Sequence, residues 1–184
     1  MNEITLRRIT LQDVPALSLI AKKTFYDTFT DTCTEDDMDH FLEKYYNEST
    51  LTKEVADSAM EYFFAEIGQE IVGYILFSDG KEDFAEIHGS NALELKRFYV
   101  VEAFHSKGIA QQMMQFFLEH AISQGYDNVF LGVWEHNMRA QKFYGRYGFV
   151  KTSHTHAFPI GNTPQTDVYM WKSLENNFTT ANLH

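Results

Sequence analysis

Apolar and polar positions alternate in "EITLRRI", residues 3–9, and that period of two predicts a first β-strand. The period then lengthens. Leu17, Ile20, Ala21, Thr24 and Phe25 recur at helical spacing, preceded by a capping box at Thr10 and Asp13 and with Pro15 tolerated in the first turn. Thr34 with Asp37 signals a second helix through Met38, Phe41, Leu42 and Tyr45, and a third short helix is expected over 51–59. "EYFFAEIGQEIVGYILF" holds two alternating runs joined at Gly68-Gln69, where glycine in the first loop position suits a type II′ hairpin. The polar, glycine-containing "SDGKEDFAEIHGSNA" reads as a loop.

Beyond it the pattern predicts a strand over 93–101, a helix over 108–124, a strand at Asn128–Trp134 and a helix over 138–147. "GFVKTSHTHAF" and "DVYMWKSL" are apolar enough to close the sheet as two last strands. The tail 175–184, "ENNFTTANLH", has little to bury and is expected to fray, leaving one domain over 1–174. This order implies an α/β (α+β) domain with a mixed sheet and helices on both faces.

Composition narrows the class without naming a reaction. A chain of 184 residues that is 44% apolar and 15% aromatic can bury a sizeable core, which favours a packed globule over disorder. A net charge of −11 disfavours nucleic-acid phosphates as partners; it suits small cations or simply solubility. Cys33 is the only cysteine, so no internal disulfide forms and a reducing compartment fits. The amino terminus is charged early, no run has signal-peptide character, and none approaches the roughly 20 apolar residues that cross a bilayer. The expectation is a cytoplasmic protein with no membrane partner.

"HSKGIA", residues 105–110, sits where a strand gives way to a helix. A helix start carries free N–H groups and partial positive charge, so the amides of Lys107 to Ala110 form a ready anion site. Small residues at Gly108 and Ala110 leave room for a pyrophosphate; alternatively, Gly108 merely makes the turn. Downstream, "WEHNMRAQKFYGRYGF" offers Asn137 as a helix N-cap and Gly148 as a left-handed helix end. Taken alone, that is an ordinary capped helix.

The two elements follow one another with one helix and one strand between them. In that order they resemble the Gcn5-related N-acetyltransferase (GNAT) family, whose fingerprint is Gln or Arg, two residues, Gly, one residue, then Gly or Ala. Asn, Ala, Phe-Tyr and a closing Gly-Phe follow. His105 stands where Gln or Arg is usual. "FYDTFTD", "LGVWEHNMRAQKFYGRYGF" and "HAFPIG…QTDVYM" are further similar to bacterial spermidine/spermine N-acetyltransferases of the PaiA type.

The resemblance implies a mostly antiparallel sheet of about seven strands, with strands 93–101 and Asn128–Trp134 splayed around acetyl-CoA. Main-chain groups of Phe98, Tyr99 and Val100 would pair with the pantetheine arm. Ser106, Lys107, Gly108, Ile109, Ala110 and Gln111 would cradle the pyrophosphate, and Asn137 would contact the cofactor. Lys142 or Arg139 would meet the adenosine phosphates or remain a solvated helix charge. A primary amine attacks the thioester, and CoA is the product. Glu94 would be the base, or else an exposed carboxylate paired with Lys96. A main-chain N–H near Phe98 or Tyr99 would steady the oxyanion, and Tyr144 would protonate the departing thiolate.

For the acceptor, the resemblance points to a small cationic amine, a polyamine in the first instance. Asp27 and Asp31, with Glu35, Asp36, Asp37 and Asp39, crowd the first helical region; a helix start collecting acids explains 35–37 equally well. Lys96 on the cofactor strand opposes a cation there. His154 and His156 should face one side of a strand; His156 would orient substrate or pack, and no spacing supplies a third ligand for a metal. A peptide acetyltransferase and a silent CoA-binding module remain the alternatives, and a homodimer is compatible.

Overall fold

Strand β1 (Thr5–Arg8) turns into α1 (Val14–Phe29) through a short 3-10 turn at Leu11–Asp13. The expected capping box is formed there: Thr10 N–H and Oγ1–H both donate to Asp13 Oδ2 at 2.8 Å. The Arg7 guanidinium adds two further bonds, holding the Asp13 carboxyl at about 2, below its ordinary range. Helix α2 (Glu35–Tyr45) starts where Thr34 Oγ1 accepts from Asp37 N–H at 3.2 Å. Helix α3 (Glu48–Ala56) begins and ends earlier than its apolar spacing suggested, because Asn47 Oδ1 caps it by accepting from Thr50 N–H at 2.9 Å. This computed structural model describes residues 3–174; the tail expected to fray lies outside them.

Strands β2 (Met60–Ile67) and β3 (Glu70–Asp79) form the hairpin over Gly68-Gln69. Gly68 has φ +62° and Gln69 does not lie at positive φ, the signs a type II′ turn requires. Strand β4 (Ala92–Val100), helix α4 (Ile109–Ser123), strand β5 (Asn128–Trp134), helix α5 (Met138–Arg146) and strands β6 (Val150–Ala157) and β7 (Thr166–Ser173) complete the chain. The seven strands lie in the order β1-β2-β3-β4-β5-β7-β6, and only β4 and β5 are parallel.

Helices cover both faces. Leu93, Leu95, Val129 and Leu131 pack under α4 and α5 with Met113, Phe117, Tyr144 and Phe149. Tyr62, Phe64, Tyr74 and Leu76 pack on the other face under α1, α2 and α3 with Leu17, Phe25, Phe29 and Leu51. Strand β3 is therefore buried on both sides, which explains its unbroken apolar run. The loop before β4 is less solvated than its composition suggested: Phe84 and Ile87 join Ala92, Phe130 and Tyr169 in a third buried cluster. Among the described residues no helix is long and apolar enough to cross a membrane.

Candidate functional site

The β4–β5 ladder runs from Ala92↔Asn128 to Leu95↔Leu131 and stops. On the other edge of β4, Leu76 pairs with Arg97 and Phe77 with Leu95, so Lys96 is an extra, bulged residue. A bulge bends its strand, and here the bend coincides with the last rung to β5. Residues 96–100 and 132–134 then diverge, leaving a gap between neighbouring strands at the sheet's centre. Val101 N–H donates to Val72 O at 2.9 Å, so strand alternation turns the peptide groups of Phe98 and Val100 away from β3 and into the gap. The Tyr99 carbonyl faces β3 instead, 2.6 Å from where a Cβ on Gly73 would stand. Tyr99 thus offers the gap a side chain more readily than a main-chain pair.

One end of the gap meets the start of α4. Ser106 (φ +63°) and Gly108 (φ +83°) are both left-handed, and alternation of that kind gathers N–H groups into a concave nest. Gly108 is the N-cap and no side chain caps the helix. The first helical bond of α4 is Gln112 N–H to Gly108 O at 3.3 Å, so the N–H groups of Ile109, Ala110 and Gln111 have no intrahelical acceptor. Ile109 is buried and anchors the turn. Lys107 Nζ lies 4.7 Å from the Phe104 ring centre. His105 braces the loop: Arg139 Nη1–H donates to its Nδ1 at 3.3 Å, which leaves Nε2–H to donate to Val100 O at 2.9 Å. One outward carbonyl of β4 is thereby engaged, and Arg139 is brought beside the loop. Asn137 Oδ1 accepts from Ala140 N–H at 3.0 Å as the α5 cap, leaving its NH2 for other partners.

Helix α5 lays Tyr144 against Phe98, ring centres 6.3 Å apart, and against Phe149 at 5.9 Å. Burial, and secondarily the Asp167 charge, push the Tyr144 phenol well above its ordinary value, so it stays protonated. Gln141, one turn earlier, holds the helix in place. Its Nε2–H groups donate to Trp134 O at 3.0 Å and Glu135 O at 2.9 Å, at the very end of β5. Sequence reading passed over Gln141, since nothing local marks a buried glutamine on an otherwise polar helix.

The face opposite α4 and α5 carries the remaining charged candidates. Glu94, opposite Phe130, is ion-paired with Lys96 at 2.8 Å; its side chain is only 13% exposed, so it is paired as one of the two alternatives had it but not exposed. Beyond the bulge, Arg97 forms a two-point ion pair with Glu54 of α3 (2.7 and 3.2 Å) and lies 4.9 Å from the Tyr46 ring centre. Tyr169 is ringed by His154 at 5.3 Å and His156 at 6.5 Å, both on one side of β6 as their spacing predicted. Phe29 at the end of α1 reaches Trp134 at 5.4 Å and Phe158 at 5.6 Å, bringing α1 to the mouth of the gap. Asp27 and Asp31 flank it and are exposed, with Asp27 bonded to Lys23 at 2.7 Å.

Asp167 is the residue sequence reading missed. It stands on β7 opposite Trp134 and His156, and its Oδ2 lies 3.1 Å from where a Cβ on Gly132 would be. Burial alone pushes its carboxyl up to about 7. A signal existed: in "QTDVYM" the acid shares its strand face with Tyr169, and an acid on the core side of a strand is uncommon.

A model of the acetyltransferase (GNAT) family matches residues 22–149. An uncharacterised N-acetyltransferase of Lactobacillus delbrueckii subsp. lactis is 32% identical over 174 residues, covering 95% of this chain and 99% of its own length. The spermine/spermidine N(1)-acetyltransferase of Bacillus subtilis is 26% identical over 82 residues, covering 44% of this chain and 53% of its own. Among solved structures, a PaiA N-acetyltransferase from Thermoplasma acidophilum in complex with coenzyme A superposes with a TM-score of 0.75 at 18% identity, covering 93% of this chain and 99% of that one.

Proposed function

The chain belongs to the acetyltransferase (GNAT) family, and on that footing we propose that it moves acetyl from acetyl-CoA to a primary amine of a polyamine. The observation that carries the reading is the alignment of three features along one gap. The outward peptide groups of Phe98 and Val100 line it, the uncapped start of α4 lies at one end, and the Tyr144 phenol borders it. An acyl-CoA needs all three: strand-like partners for its amide-rich arm, an anion site for its diphosphate, and a proton donor near its sulfur.

In this reading the N–H groups of 109–111, with Ser106, Lys107 and Gly108, hold the diphosphate, and the Asn137 NH2 meets the cofactor beside α5. Phe98 and the Val100 N–H orient the pantetheine arm, and the Phe98 N–H, which faces the gap, steadies the oxyanion. Tyr144, held protonated by burial, donates to the sulfur as the C–S bond breaks. The acceptor approaches from the opposite face. Glu94, Glu82 and Asp167 all act on the Tyr169 phenol there, and Asp27 and Asp31 border the approach. Glu94 and Asp27 are paired with lysines, so Asp167, Glu82 and Asp31 are the acids left to suit an amine with several positive charges, and the polyamine acetyltransferase similarity over part of the chain points the same way. His156, at the rim beside Tyr169, would orient the acceptor.

Thiol release from acetyl-CoA over a panel of spermidine, spermine, amino acids, aminoglycosides and peptides tests the reading. Spermidine and spermine should give the highest kcat/KM. A preference for peptides would replace the polyamine assignment, and tight acetyl-CoA binding without release to any amine would make the protein a silent cofactor-binding module.

A further inference from the structure

We propose that the Asp167 carboxylate, laid across Gly132 at the end of the β4–β5 gap, takes the proton from the attacking amine. The proposal rests on the acetyl-transfer reading above. Its first ground is position. Asp167 faces Trp134, the last residue of β5, from the strand on that side, and its Oδ2 lies over Gly132, where a Cβ would press on it at 3.1 Å. The Tyr99 phenol on β4 and the Tyr144 phenol on α5 both feel its charge.

The second ground is the lack of a partner. Among the described residues Asp167 makes no side-chain hydrogen bond and no ion pair, whereas Glu94 has Lys96 and Glu54 has Arg97. A carboxylate largely withdrawn from water without a cation is unfavourable, and an unpartnered acid of that kind is a candidate functional group. A primary ammonium is that partner. Glu94, already neutralised by its neighbour, is less free to accept a proton.

The surroundings suit proton exchange at neutral pH. Burial brings the carboxyl up to about 7, near the value that favours general-base work. Beside it are His156 from β6, Tyr169 from its own strand, and Gly132 and Trp134 from β5, while the Tyr99 and Tyr144 phenols lie within range of its charge. None of these supplies a fixed positive charge, so a bound ammonium sets the ionisation of the acid.

The ammonium gives one proton to Asp167, and the freed lone pair forms the C–N bond to the acetyl carbon. The C–S bond breaks with its electron pair leaving on sulfur, which takes the Tyr144 proton. The second amine proton restores Tyr144, and Asp167 releases its proton to water. The products are the N-acetylamine and free CoA thiol.

Single-turnover rates with acetyl-CoA and the best amine of the panel, measured from pH 5.5 to 9 for wild type, Asp167→Asn, Asp167→Glu and Glu94→Gln, test this. At amine concentrations well below KM, wild-type rates should fall below about pH 7. Asp167→Asn should slow the chemical step by about 100-fold or more and erase the acidic limb, with acetyl-CoA affinity by calorimetry unchanged. Asp167→Glu should restore part of the rate and the limb. The proposal is overturned if Asp167→Asn raises only the amine KM, or if the limb disappears in Glu94→Gln instead. If wild type turns over no amine while still binding acetyl-CoA, the acetyl-transfer reading fails, and this inference with it.

Discussion

Asp167 makes a prediction about stability that is independent of any substrate. In the unfolded chain its carboxyl titrates near 3.8; in the fold burial moves it to about 7. The raised value means that the fold accepts the neutral acid and resists the anion. Relative to a non-ionisable variant, wild type is therefore most stable below pH 3.8 and loses ground until about pH 7. Above that both states carry the charge and the difference stops growing. At 1.36 kcal/mol per pH unit the full penalty is about 4 kcal/mol, and water reaching the partly exposed side chain screens it to about 2 kcal/mol. Asp167→Asn keeps the shape without the charge. Its melting temperature should exceed that of wild type by about 4–8 °C at pH 8, fall to less than half that margin at pH 5, and match wild type near pH 4. Thermal melts across that range, with urea titrations at both ends, measure it. A margin independent of pH, or a variant less stable than wild type at pH 8, would refute the reasoning that Asp167 is a buried acid without a counter-charge.

Three further outcomes follow from other parts of the site. Tyr144→Phe should lower kcat by about 100-fold while leaving acetyl-CoA affinity within about twofold, because only a proton is removed; parallel loss of affinity would argue against a donor role. Gly108→Val places a branched side chain at φ +83°, a region such residues avoid, and into the mouth of the nest. It should destabilise the fold by about 1–3 kcal/mol and weaken acetyl-CoA binding at least tenfold, read by denaturation and calorimetry. Glu54→Ala leaves Arg97 largely buried without its carboxylate partner and should lower unfolding free energy by about 3 kcal/mol; an effect below about 1 kcal/mol would show that α3 and the bulged strand are not tied by this pair.

What could be read along the chain was local in the chain. The Thr10–Asp13 box, the Thr34 cap, Gly68 in its hairpin and Gly108 before α4 each depend on residues within a few positions, and each stands where expected. So does the order of strands and helices, because hydrophobic period is a property of consecutive residues. The family fingerprint was legible for the same reason: the left-handed turn and the helix behind it occupy one unbroken stretch. The α3 start was misjudged only because Asn47 capped more strongly than the apolar spacing indicated.

The rest depended on strands brought together from far apart. Nothing near Lys96 announces that β3 will pair out of step there, or that β5 will part from β4 at the same rung. For Glu94 the sequence leaves two readings, a base or a partner of Lys96, and the folded sheet forms that pair. Asp167 read as a strand residue because its burial is set by Gly132 and Trp134, more than thirty positions away. By itself the amino-acid order determined the elements, their caps and the uncapped turn before α4, since these are governed by backbone torsions and nearest neighbours. Tertiary structure alone decided where the sheet opens and which carboxylate is left without a cation, because ionisation and solvation answer to whatever packing brings alongside.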